Sequence, residues 1–393
     1  MRLFARVTTM AGILSMSAVL SSAPAPDRLA WLGAPTHVAP GVDLYRTTDA
    51  SLVETAGPIA VSLLRLDPSR VRIATALARP GEIDSLDSLE HMASAAGAVA
   101  AVNGGLFNAG NHEPVGVLKV GGELVSDSST LEGVAAIHAP ARGATALEFD
   151  EVSVAETVSF DAGGRSHVVT IDGIDTTRAR GHLMLFTPMY HADTDTAPTG
   201  TEWPIDGSPP RVGRVRVKQG RTPIPPAGAV LSYGGTDLPA DLAALTAGTR
   251  VTLRAHWTTT FGMSGSRLDS AESIVGGAGL LRVKGRSLAD WPATQTLGGQ
   301  VFVNARHPRT IIGEDAHGGL WLATVDGRDS SYSIGMTFAD LERLCARLDL
   351  TGALNLDGGS STGMVVRGKL VNHPAAGTPQ VNNAILVVAR ERD

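Results

Sequence analysis

The chain has 393 residues, 43% of them hydrophobic and 18% charged, which places it among globular chains and excludes an intrinsically disordered one. Its formal net charge of −6 gives no basic footprint for a nucleic-acid partner. With 45 Gly and 22 Pro against 4% aromatics, the composition speaks for many turns and short elements, a strand-rich fold rather than a helical bundle.

The first residues read as a leader. Arg2 and Arg6 precede an apolar run from Val7 to Leu20, followed by the small residues Ser21-Ser-Ala-Pro-Ala-Pro26. The expected unit is a signal peptide over 1–25, cleaved near Ala23 or Ala25, and no later stretch is long and apolar enough to anchor the chain in a bilayer. Cys345 is the one cysteine, so an intrachain disulfide is excluded, and its place in a helical apolar pattern predicts a core residue.

Residues 34–49 look like a turn-rich opening segment. Strands are predicted at 59–66 and 71–77, a short helix at 85–92 from Leu86, Leu89 and Met92, and a buried strand at 98–102 that stops at Asn103-Gly104-Gly105. These make up an N-terminal part of the core, 34–114. Residues 115–260 offer short strand candidates at 115–120, 167–171, 212–217 and 251–255, with a Thr-, Pro-, Asp- and Gly-rich loop at 191–210. They suggest a β-rich inserted subdomain. The C-terminal part, 261–393, is the most legible. A strand at 320–325 ends at Asp326-Gly327-Arg328, and Thr337-Phe-Ala-Asp340 approximates a capping box. Phe338, Leu341, Leu344, Cys345 and Leu348 then share a helix face. A strand at 353–356 ends at Asp357-Gly358-Gly359, and 381–388 closes the chain. The predicted class is α+β, a mixed sheet with packed helices.

Three strand candidates end in a polar residue followed by glycine, at Asn103, Asp326 and Asp357. Each alone has the chemistry of an ordinary turn. The Asp357 segment adds Ser360, Ser361 and Thr362, hydroxyls that a turn does not need and that suit a phosphate or a sugar. Arg306, His307 and Arg309 precede Thr310, and Arg328 follows Asp326. Arginine forks bind phosphate oxygens in pairs.

The blocks Ala101-Val-Asn-Gly-Gly-Leu-Phe107, Pro308-Arg-Thr-Ile-Ile-Gly313, Val325-Asp-Gly-Arg328, Gly335-Met-Thr337 and Ala353-Leu-Asn-Leu-Asp-Gly-Gly-Ser-Ser-Thr362 occur in the order seen in phosphodiester glycosidases, and the chain resembles that family over roughly residues 95–390. It departs from the family pattern at Leu106, where Phe is usual, at Ser360, where a third glycine is usual, and at Pro379-Gln380, where an arginine often stands. The resemblance implies an exported hydrolase that releases a sugar from a sugar-1-phosphodiester in an exopolysaccharide or cell-wall glycan. Asp357 and Asp326 are the catalytic candidates on this reading. Asn103, Gly104, His307, Arg309, Thr310, Arg328, Gly358, Gly359, Ser361 and Thr362 would contact substrate. No cofactor is required. Two alternatives stand beside it. In one, Asp326, Asp357 and Asn103 hold calcium or magnesium for attack on phosphorus. In the other, the pocket belongs to a non-catalytic cell-surface glycan-binding protein.

Overall fold

The computed structural model describes residues 28–288 and 299–390, and the leader expected over 1–25 lies outside them. Among the described residues, strands hold 43% and helices 12%. The helical weight implied by an α+β class is therefore smaller than expected, and the molecule is mostly β.

An eight-stranded sheet forms the larger half of the core. At its centre, strand Arg309–Asp315 pairs antiparallel with Leu320–Val325 on one side and with Leu350–Asn355 on the other. The expected mixed sheet is corrected here in a simple way. The strand–helix–strand order from 320 to 355 does give two strands of parallel direction, but Arg309–Asp315 lies between them, so each hydrogen-bonds to an antiparallel neighbour. The crossover helix is Phe338–Arg347. Thr337 Oγ1 accepts from Asp340 N, and the Asp340 carboxylate accepts from Thr337 N, which completes the capping box with Asp in place of Glu. Its inner face places Leu341, Leu344 and Cys345 in the core, each 0% exposed.

A five-stranded sheet packs alongside. In it, strand Ala100–Asn103 lies between Met364–Val366 and the terminal strand Asn383–Ala389, which also pairs with Val71–Leu77. The two sheets share one apolar cluster, in which Leu64, Ile312 and Leu354 of the larger pack with Val102 and Ile385 of the smaller.

Two stretches expected to be irregular contain strands. The opening segment holds two strands, Thr36–Ala39 and Val42–Thr47, and the stretch 191–210 contains strand Thr201–Asp206. Within 115–260 the longest element is the 17-residue strand Ala146–Ala162. Its first residues, Leu147 and Phe149, pack into the main core with Glu132–His138, whereas Val158 and Phe160 belong to a second cluster with Leu185, Trp203, Leu231 and Val251.

Candidate active site

Strand ends from both sheets converge around Asp357. Asn103, at the end of Ala100–Asn103, donates from Nδ2 to the Asp357 carbonyl at 2.8 Å. Its Oδ1 accepts from Thr310 Oγ1 at 2.7 Å and from Gly363 N at 3.2 Å. Asn103 is 1% exposed, so its amide ties the two strand ends together from beneath. Asp357 N donates to Gly104 O at 3.2 Å, and Gly104 N donates to Asn383 O at 2.9 Å.

The turn after Asp357 is set by close approach. A Cβ on Gly358 would lie 2.7 Å from the Pro308 carbonyl oxygen. Gly359 has φ of +64°, and a Cβ there would lie 2.8 Å from a guanidinium nitrogen of Arg328. Space requires glycine at the first position, and backbone conformation favours it at the second. The Asp357 carboxylate accepts from Gly358 N at 2.8 Å and from the Ser361 hydroxyl. Burial outweighs both bonds and raises its pKa to about 6. Thr362 is fully buried, and no group hydrogen-bonds to its hydroxyl oxygen among the described residues.

Against this turn lie two arginines and a histidine. Arg328 is exposed, has φ of +64°, and makes no hydrogen bond or ion pair with the described residues. Arg309 is its opposite, 0% exposed. Its Nε donates to Met336 O at 3.0 Å and its Nη2 to Phe302 O and Ala305 O at 3.0 and 2.9 Å. The guanidinium carbon sits 4.4 Å from the Phe302 ring centre and 5.0 Å from that of Phe338. Its remaining nitrogen, Nη1, has no partner among the described residues. Burial, with Arg328 nearby, lowers the Arg309 pKa to about 10. His307 stacks on Phe302 at 5.7 Å, and burial, then Arg309 and Arg328, push its pKa down and favour the neutral ring. Arg306 is engaged elsewhere, in an ion pair with Asp340 at 2.7 Å.

Asp326 is 3% exposed and faces Asn372 and His373 rather than Arg328. Its oxygens accept from Asn372 Nδ2 at 2.9 Å and from His373 N at 3.0 Å, and burial still raises its pKa against these bonds. Asn372, His373 and the Tyr332 ring 5.3 Å from His373 were not foreseen from sequence, since nothing local marks them. The buried pair Asn382-Asn383 did carry a signal, two amides inside an apolar terminal strand. Asn383 Oδ1 accepts from Gly105 N at 2.7 Å. Among the described residues no three acidic, His or Cys side chains are grouped to hold a metal ion, and the oxygens of Asn103 and Asp326 are already used within the protein.

Comparison with known proteins fits this arrangement. Residues 208–388 match the phosphodiester glycosidase family. The phosphodiester glycosidase match includes His307, Arg309, Asp326, Arg328 and Asp357, while Asn103 precedes it. Over 74 residues the chain is 35% identical to the N-acetylglucosamine-1-phosphodiester alpha-N-acetylglucosaminidase of Bos taurus, covering 19% of this chain and 14% of that protein. It is 37% identical over 86 residues to the SPbeta prophage-derived uncharacterized protein YomE of Bacillus subtilis (strain 168), covering 22% of this chain and 13% of that one. The chain therefore spans about one seventh of the length of these curated relatives. Two solved structures share the fold. A hypothetical protein from Synechocystis superposes with a TM-score of 0.73 at 21% identity, over 90% of this chain and 63% of that one. A Burkholderia pseudomallei K96243 protein whose description proposes export superposes with a TM-score of 0.66 at 23% identity, over 88% and 76%. No helix among the described residues is long and apolar enough to cross a membrane.

Proposed function

We propose that this chain is an exported hydrolase of sugar-1-phosphodiesters that cleaves the bond between the anomeric carbon and the phosphate oxygen. The observation that carries the reading is the Arg328 guanidinium, unpaired among the described residues and resting on Gly359, two residues from a carboxylate whose pKa burial has raised. Phosphate is a good leaving group, so the chief demand is to hold the charge it takes away. Arg328 meets it with a complete guanidinium, and Arg309 Nη1 supports it from below. Asp357, ionised, removes a proton from water as its oxygen bonds to the anomeric carbon, and the C–O bond to phosphate breaks to leave a phosphate monoester. Ser361 orients that carboxylate.

Asp326 is assigned a positioning role, holding Asn372 and His373 at the mouth. Asn103, Gly104, Thr310 and Gly358 frame the turn, and His307, Gly359 and Thr362 line it. The β-rich unit within 115–260 is taken as an accessory layer on this core. Export rests on the leader pattern at 1–25. The target would be a cell-surface or extracellular glycan.

Hydrolysis of sugar-1-phosphodiesters in 18O-labelled water tests the route. Label in the released sugar supports attack on carbon. Label in the phosphate would mean attack on phosphorus and would overturn the reading, as would tight glycan binding with no turnover.

A further inference from the structure

Away from Asp357, a cleft of 440 Å³ opens between the strands Ala146–Ala162 and Val251–Thr259 on one side and the sheet containing Leu183–Phe186 and Thr201–Asp206 on the other. Volumes of this order suit a single small ligand. None of its lining residues belongs to the site around Asp357. One wall is the inward face of Val251–Thr259, where Leu253, Ala255 and Trp257 follow at every second position. The Trp257 indole N–H donates to Asp269 Oδ1 at 2.8 Å, which fixes the ring.

The opposite feature is charge. Glu156 lines the cleft, is 8% exposed, and no group among the described residues hydrogen-bonds to its buried Oε2. A buried carboxyl without a donor is costly, whether ionised or not. Glu123 also lines the cleft, and Asp127 and Asp175 stand close enough to couple electrostatically with Glu156. None of these four carboxyls takes part in an ion pair among the described residues. The one cation in the lining, Lys119, is directed elsewhere: its Nζ donates to Leu268 O at 3.0 Å and Asp269 O at 2.7 Å. Burial, reinforced by Asp127, holds the Glu156 pKa at about 7, as expected of a carboxyl that lacks its counter-charge. No three of these acids are grouped as metal ligands.

We infer that this cleft binds an organic ammonium ion, with the amine against Glu156 and the ligand's less polar body against Leu253 and Trp257. An aromatic face beside carboxylates attracts such a cation through both groups. Amino sugars and small alkyl amines share this chemistry, and the test separates them. Titration calorimetry near neutral pH would compare glucosamine and cyclohexylamine with their neutral counterparts, glucose and cyclohexanol. At least one amine should bind saturably and tighter than its counterpart by about tenfold or more. Glu156→Gln should weaken that binding by a similar factor and leave sugar-phosphodiester turnover unchanged. Glu123→Gln is the second variant, expected to act in the same direction should Glu156→Gln not fold. Absence of saturable amine binding, equal binding of amine and neutral counterpart, or wild-type affinity in a folded Glu156→Gln protein would each overturn the inference.

Discussion

Asp357 shows how a residue legible in sequence acquires chemistry only in the fold. A strand ending in Asp-Gly-Gly-Ser-Ser is visible by eye, and its hydroxyls suggest a ligand. The pressure on its proton comes from burial, in a turn held by Asn103 and Pro308, both remote from it in the chain. Asp357→Asn is expected to lower turnover by about a hundredfold or more and to leave the thermal midpoint unchanged or raised. The sign follows from its pKa. The folded value, about 6, lies above the ordinary aspartate value of 3.8, so ionising Asp357 costs stability as pH rises between the two. Asn never pays that cost. Calorimetry beside a turnover assay checks both halves. The same shift predicts that kcat/KM falls as pH drops through about 6, because the base becomes protonated. A profile flat down to a pH of about 4.5 would remove Asp357 from that role. The two arginines contrast with each other. Arg328, a candidate phosphate contact from sequence, has no partner among the described residues. Arg309 shares its motif, yet lies beneath the surface on Phe302 and Phe338. Sequence carries little sign of this, since arginines are mostly exposed. Arg328→Ala should therefore raise KM and lower kcat with little loss of stability, whereas Arg309→Ala should also unfold the protein more easily.

At the scale of elements, the best-read segment is the helix Phe338–Arg347. Its apolar spacing and its Thr337–Asp340 cap were both in the sequence, and both bonds of the cap are present. Thr337→Ala should cost about 1 kcal/mol, measured by denaturant unfolding. A larger loss is reasonable here because Asp340 also accepts from Glu54 N and pairs with Arg306 and Arg343. The strands that were not read fail for an identifiable reason. Ala146–Ala162 carries buried residues on both faces near its start and alternates only later, so no single period describes it. The order of strands in the large sheet was equally hidden. Local pattern predicts that 320–325 and 353–356 are strands, but not that Arg309–Asp315 enters between them.

For the whole molecule, the decisive element is that same long strand. It contributes Leu147 and Phe149 to the main core and Val158 and Phe160 to the second cluster, so the two clusters share one continuous backbone. Calorimetry should accordingly show one cooperative transition rather than two, and Trp203→Ala, in the second cluster at 0% exposure, should lower that single transition by about 3–5 kcal/mol. Two resolved transitions would show that the clusters unfold independently.

The shared strand also limits how such a chain can change length. Its pairing with Val251–Thr259 runs without a break from Val152 to Phe160. Deleting or adding one residue within that span would turn every side chain beyond it to the other face. Val158 and Phe160 would leave their cluster, and Glu156 would leave the cleft. Insertions and deletions are tolerable instead at the Gly163-Gly164 hairpin, where both glycines adopt positive φ and a Cβ would meet nothing within 4 Å. Variation in length among homologous chains should gather at that tip and spare the strand behind it.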